Sequence, residues 1–195
     1  NGNIPEQVVP AFRDCEIIAG KKANGDVRPI CMTGTLRKLT MKVAIAQQSD
    51  FSKKHFGGLQ YAMDSCGSEK VINCFRAIFE KRPDFDIFAM DGSNAFNTAN
   101  RHIGLQEIAQ HCPKMSKLFN MMYGTDARLW YAGIRDVIET ILVEAGYQQG
   151  CVGGTWAYAM TIHRMIVQIA EALGEDGIIK FFVDDGNMAA KFEKM

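Results

Sequence analysis

Two adjacent aspartates, Asp184 and Asp185, close the run Lys180-Phe-Phe-Val and are followed at once by Gly186. An apolar, aromatic run that ends on acids and glycine has the pattern of a strand carrying two carboxylates into a hairpin turn. A second segment, residues 85–91 (Phe-Asp-Ile-Phe-Ala-Met-Asp), is another apolar strand that ends on an acid, Asp91. If the two strands lie side by side, Asp91, Asp184 and Asp185 converge. Three acids that close repel one another unless a divalent cation neutralises them. An oxygen-only triad suits hard ions, magnesium or manganese, which bridge substrate phosphates. The chemistry within reach is two-metal phosphoryl transfer. One ion would lower the pKa of an attacking 3′-hydroxyl, and the other would hold a triphosphate and stabilise the leaving pyrophosphate. An Asp-Asp pair alone is usually a solvated turn. An acid closing each of two apolar strands, with a glycine loop before the second, is a much stronger signal.

The elements that would position these acids are legible from pattern. Residues 20–26 (Gly-Lys-Lys-Ala-Asn-Gly-Asp) centre on Asn-Gly, the strongest short hairpin signal, with apolar arms at 17–19 and 27–32. Lys21, Lys22 and Arg28 cluster at its tip and along one arm, where cations can neutralise a polyphosphate. A helix is predicted from Thr33, with Leu36, Leu39, Val43, Ile45 and Ala46 apolar, Arg37, Lys38 and Lys42 polar, and Thr33 or Thr35 as cap. Ser68 is the expected cap of a helix through Lys81 whose apolar face is Val71, Ile72, Phe75, Ile78 and Phe79. After Asp91, helices are expected from about Asn100 to Gln110 and from Pro113 to Tyr123. A ribbon should follow over 127–132 and 137–143, joined at Gly133. The glycine-rich stretch 146–154 leads into a long helix to Leu173. The final hairpin runs over 178–184 and 187–192, turning at Gly186. This order suggests an open antiparallel α+β sheet backed by helices.

The chain has 195 residues, 47% of them apolar and 23% charged, which is ordinary for a globular protein with one sizeable core or two small subdomains. It contains no long apolar span and no leader-like start, so neither a membrane helix nor a signal peptide is expected. Six scattered cysteines without a Cys-x-x-Cys pair argue against zinc and for free thiols in an intracellular setting, nucleus or cytoplasm. The net charge of zero speaks against a free-standing nucleic-acid binder. Its distribution does not. Residues 21–54 carry eight Lys/Arg against two acids, whereas residues 59–195 carry 13 basic and 17 acidic residues. A basic first third and an acidic remainder suit a phosphate-handling cleft, or simply a solvated charged surface. A start at Asn1 and an end at Met195, soon after the acidic strand, lead us to expect a piece of a larger polyprotein or multidomain chain.

Four segments, in order, carry a family resemblance. Arg28-Pro29-Ile30 resembles the fingers arginine motif of reverse transcriptases, with Lys21 and Lys22 upstream where a triphosphate-contacting lysine lies. Asp91-Gly-Ser-Asn-Ala-Phe-Asn97 resembles their catalytic-aspartate motif, Gln148-Gln149-Gly150 their glutamine–glycine loop, and Phe182-Val183-Asp184-Asp185 their aromatic-x-Asp-Asp box. The resemblance runs from about residue 27 to the end and is nearest the non-LTR retrotransposon and group II intron branch. It implies a right-hand polymerase fold of the α+β class without a thumb, with residues 1–85 as fingers and 86–195 as palm. The ribbon near 126–143 is assignable to either. It further implies RNA-directed DNA polymerase activity, an RNA template, a DNA primer and deoxynucleoside triphosphates as partners, and two Mg2+ or Mn2+ ions. Asp91, Asp184 and Asp185 would hold those ions. Gln149 and Gly150 would line the nucleotide pocket, glycine allowing close backbone approach.

Phe96, five residues after Asp91, falls on the family's steric-gate position. An aromatic ring there cannot accept a hydrogen bond from a ribose 2′-hydroxyl, so it favours deoxynucleotides. The chain departs from the family after Gly150: it has Cys151-Val152-Gly153-Gly154 where relatives often carry Asp-Pro-Leu-Gly, and a looser loop is expected. His55, His102, His111 and His163 have no metal spacing and are expected at surfaces or in helix packing. Met121, Met122, Met160 and Met165 are expected in the core, and Arg101 could pair with a carboxylate or a phosphate. Two rivals remain. One is an RNA-dependent RNA polymerase palm, disfavoured by Phe96 and by Val183 in place of the usual glycine before Asp-Asp. The other is a non-catalytic palm serving as a nucleic-acid-binding scaffold.

Overall fold

A computed structural model describes residues 4–21, 23, 25–132 and 138–191. Asn1, Lys22, Asn24, Gly133, Val137, Phe192 and Met195, which the readings above include, lie outside the described residues. In chain order the elements are α1 (Val9–Arg13), β1 (Cys15–Lys21), β2 (Val27–Met32), α2 (Thr35–Ala46), α3 (Ser49–Phe56), α4 (Gly67–Lys81) and β3 (Asp86–Met90). There follow α5 (Ala95–Thr98), α6 (Arg101–His111), α7 (Pro113–Tyr123), β4 (Ala127–Ala132), β5 (Ile138–Val143), α8 (Val152–Leu173), β6 (Gly177–Phe182) and β7 (Asp185–Ala190). The chain forms two compact units, each made of two segments: Asn1–Gln47 with Phe96–Thr161, and Gln48–Ala95 with Ile162–Met195.

The first unit contains a four-stranded sheet in the order β2-β1-β4-β5. The hairpin read from Asn-Gly is present, with β1 and β2 antiparallel from Glu16↔Met32 to Lys21↔Val27. The sheet is mixed rather than antiparallel, because β4 joins β1 in parallel at Cys15↔Leu129 and Glu16↔Trp130. Strand alternation sends Cys15, Ile17, Cys31 and Leu129 to one buried cluster. Asn100 caps α6: its side-chain oxygen accepts from the His102 and Ile103 amides at 3.0 and 3.2 Å, a contact worth ~1 kcal/mol.

The α2 periodicity is misleading. Leu36, Leu39 and Val43 are exposed, while Arg37 and Met41 are the residues it buries. Arg37 is buried because acceptors meet it there. Its guanidinium donates to the Arg13 carbonyl at 2.7 Å, to the Gln148 side-chain oxygen, and to the Tyr123 hydroxyl at 3.5 Å. Gly34 occupies the N-cap position of α2, and neither Thr33 nor Thr35 caps it. The segment expected to be a loose loop is partly helix, since α8 begins at Val152 with Gly153 and Gly154 in its first turn. A side chain at Gly153 would start 2.9 Å from the Met41 sulfur, so the small residue lets α2 and α8 approach.

The second unit is a three-layer arrangement. Its sheet is antiparallel, in the order β3-β7-β6. One face packs Ile179, Phe181 and Ala190 against Ile166 and Leu173 of α8. The other packs Ile178, Phe182 and Ala189 against Val71 and Phe75 of α4. Both faces of β6 are covered, so its sequence is a near-continuous apolar run rather than an alternation. Within α4, Val71 and Phe75 are buried, but Ile72 and Phe79 are 53% and 74% exposed, so the expected face is broader than the one used. The α4 N-cap is Cys66 in a left-handed conformation, not Ser68.

Candidate functional site

The acids gather at one end of the second unit's sheet. β3 pairs with β7 from Asp86↔Ala190 to Met90↔Gly186, and one further step of that register sets Asp91 opposite Asp185. β6 pairs with β7 up to Phe182↔Asp185, which leaves Val183 and Asp184 as a two-residue hairpin turn. The turn therefore does not lie at Gly186, as the sequence suggested. Gly186 is a strand residue paired on both sides, with Met90 and Phe181. It has to be small because a Cβ there would collide with the Phe181 ring. Asp91 and Asp185 are exposed and line one cavity of about 390 Å3, together with Ser68, Ala89 and Asn187.

Among the described residues no three His, Cys, Asp or Glu side chains are grouped closely enough to hold a metal ion. The donor chemistry nonetheless fits a hard cation. Asp91 and Asp185 are two solvent-facing carboxylates on neighbouring strands, and neither forms a salt bridge with a described residue. Carboxylate oxygens of this kind suit Mg2+ or Mn2+.

The turn itself is unusual. Val183 has φ +61°, a left-handed value that is an outlier for a β-branched residue. Its peptide groups are gripped by a side chain far away in sequence. Gln60 Nε2 donates to the Val183 carbonyl at 2.9 Å, and the Val183 amide donates to Gln60 Oε1 at 2.9 Å. Gln60 is only 2% exposed, and its Oε1 also accepts from the Ala62 amide at 3.0 Å. The backbone around it is tied to β6 by Phe181 N–H to Leu59 O and Tyr61 N–H to Phe181 O, both 2.8 Å. Sequence reasoning missed Gln60. The only local signal is a lone amide within the apolar patch after Gly57-Gly58.

The first unit collects the other candidates. Lys21 ends β1, and Arg28 pairs with Gly20 across the hairpin; both are exposed. The Gln149 carbonyl accepts from the Cys31 amide at 2.8 Å, which pins the glutamine–glycine loop to β2. Gly150 follows at φ +99°, and a Cβ there would lie 2.9 Å from the Cys31 oxygen, so only glycine fits. The neighbouring Gln148 is the buried glutamine, engaged with Arg37. The Phe96 ring stacks on Tyr158 of α8, with centroids 4.7 Å apart and planes at 16°. Arg101 is buried and donates to the Gly146 and Val143 carbonyls, so it organises a loop rather than pairing with an acid. Met122 and Met160 are in the core, whereas Met165 is 45% exposed. His55 and His163 pack in the second unit with ring centroids 4.7 Å apart.

Neither protein-family models nor curated protein sequences give a match to this chain. Solved structures do. An apo telomerase from Candida tropicalis, truncated from the C-terminal domain, superposes with a TM-score of 0.70 at 12% identity, over 95% of this chain and 45% of that one. The apo C. tropicalis telomerase gives 0.69 at 11% identity over 96% and 40%. A Candida albicans telomerase in complex with a TWJ fragment of telomeric RNA gives 0.64 at 9% identity over 97% and 40%. The chain shares its fold with part of each of these telomerases. At these identities the likeness is one of fold, and the chain spans less than half the length of each of these telomerases.

Proposed function

We propose that this chain is the fingers and palm portion of an RNA-directed DNA polymerase of the reverse-transcriptase type, which extends a primer 3′-end with deoxynucleoside triphosphates. The observation that carries the reading is the register that sets Asp91 opposite Asp185, beside the turn that holds Asp184. The likeness to telomerases, two of them solved with a fragment of telomeric RNA, supports an RNA partner. The four motifs in order support the same activity and the retrotransposon and group II intron branch.

In this reading Asp91, Asp184 and Asp185 hold two divalent ions, Mg2+ or Mn2+. Those ions, when bound, supply Lewis-acid activation of the primer hydroxyl and charge neutralisation at the triphosphate. The chain's own groups do the rest. Lys21, Lys22 and Arg28 attract and orient the triphosphate from the hairpin. Gln149 and Gly150 line the nucleotide pocket, with the loop fixed to β2 by the Cys31 amide. Phe96, braced by Tyr158, presents an apolar ring edge that offers no acceptor to a 2′-hydroxyl.

The test is extension of a DNA primer on an RNA template, with dNTPs and NTPs compared. The wild-type protein should use dNTPs, and Asp184→Asn should lose extension while keeping its fold. Preference for NTPs would favour an RNA polymerase. Absence of any extension by the complete protein would favour a nucleic-acid-binding scaffold.

A further inference from the structure

Two-residue hairpins with positive φ only at the first central position follow the type II′ pattern, whose preferred residue there is glycine. Here that position is Val183, with φ +61°, while Asp184 is not among the positive-φ residues. A β-branched residue in this conformation is strained and persists only where its surroundings over-determine it. Among those surroundings is one side chain distant in sequence. The Gln60 carboxamide, itself buried, both donates to and accepts from the half-buried Val183, each at 2.9 Å.

We propose that Gln60 is a positioning residue of the acidic site: its buried carboxamide holds the left-handed Val183 peptide and so fixes how Asp184 and Asp185 are presented. The inference rests on the reading of these acids as metal-holding groups. The geometry explains why an amide is needed. A carboxylate could accept from the Val183 N–H but could not donate to its C=O. An apolar side chain could do neither and would leave both groups without this partner. Glycine at 183 would relieve the strain and with it much of the need for the clamp. Leu59 and Tyr61 bond the same edge of β6, so the clamp is anchored to the strand that leads into the turn. Any shift of Gln60 is thereby passed to the acids rather than absorbed in a loose loop.

The experiment is a double-mutant cycle of Gln60→Leu and Val183→Gly, with Gln60→Glu as a second, size-conserving variant. Circular dichroism checks folding, Mn2+ half-saturation is read by electron paramagnetic resonance, and exchange of the Val183 amide is read by NMR. Gln60→Leu and Gln60→Glu should each weaken Mn2+ binding by about tenfold, the lower end of what partners of metal ligands carry, and should speed Val183 exchange. In the Val183→Gly background the Gln60→Leu loss should shrink to within about threefold, the coupling expected of contacting residues. A folded Gln60→Leu with unchanged Mn2+ binding overturns the inference alone, as does an equal loss in both backgrounds. A wild-type protein that binds no Mn2+ overturns the polymerase reading. The clamp then stands or falls on Val183 exchange, which must be slow in wild type and faster in Gln60→Leu.

Discussion

Asp91 stands one register step beyond Met90, the last paired residue of β3, and faces Asp185, the first residue of β7. Two exposed carboxylates on adjacent strands repel by roughly 1 kcal/mol in a water-like dielectric, so the pair favours a cation. Asp91→Asn or Asp185→Asn should leave the melting temperature unchanged or slightly raised, within about 0.5 kcal/mol. Millimolar Mg2+ or Mn2+ should stabilise the wild type but not these variants. Differential scanning fluorimetry with and without the ion checks both expectations.

Phe96→Val should admit ribonucleotides. The substitution removes the ring that stacks on Tyr158 and leaves space at the sugar, at a stability cost of about 1–3 kcal/mol. Competition of dNTP against NTP on one RNA template reads the change; unaltered sugar selection would remove Phe96 from the gate.

Arg37→Leu should be strongly destabilising although it replaces a charge with an apolar group. The Gln148 side-chain oxygen would lose its buried donor, and the Arg13 carbonyl would keep only the Gln148 Nε2 bond at 3.2 Å. A loss of about 2–4 kcal/mol is expected in urea unfolding. Part of it should be absent when Gln148→Leu is combined with it, because the two side chains share one network.

Gly186→Ala tests the strand at the acids. The added methyl meets the Phe181 ring, which is 4% exposed in the core beneath α8. A stability loss of about 1–3 kcal/mol is expected from the overpacking, together with weakened Mn2+ binding, since Asp185 is the next residue back along β7. Unchanged stability would show that the ring moves freely.

Stability should also fall on the alkaline side. Burial raises the Tyr123 hydroxyl well above its ordinary value of 10.0 and raises that of Tyr147, which also bonds Thr161 at 2.8 Å. A raised folded pKa means the native state keeps protons that the unfolded chain releases. The contribution is therefore whole below about pH 10 and is lost as pH climbs through the folded values. Urea midpoints from pH 8 to 11 should drop above 10, and Tyr147→Phe should lessen the drop.

The sequence by itself determined what is local. The Asn-Gly hairpin, the helix that starts near Asn100 and the apolar strands that end on acids all follow from residue types within a few positions of one another, because turn, helix and strand preferences act over that range. Tertiary structure decided the rest. It set Asp91 opposite Asp185 and moved the turn from Gly186 to Val183 and Asp184. It split the strands into a mixed and an antiparallel sheet, and it buried Arg37 while leaving Leu36 and Leu39 in solvent. It also brought Gln60 to Val183, 123 positions away. Register, burial and a buried amide's partners depend on which distant groups pack together. A periodicity of apolar residues cannot encode that, because it fixes which face of an element is greasy but not what will meet it.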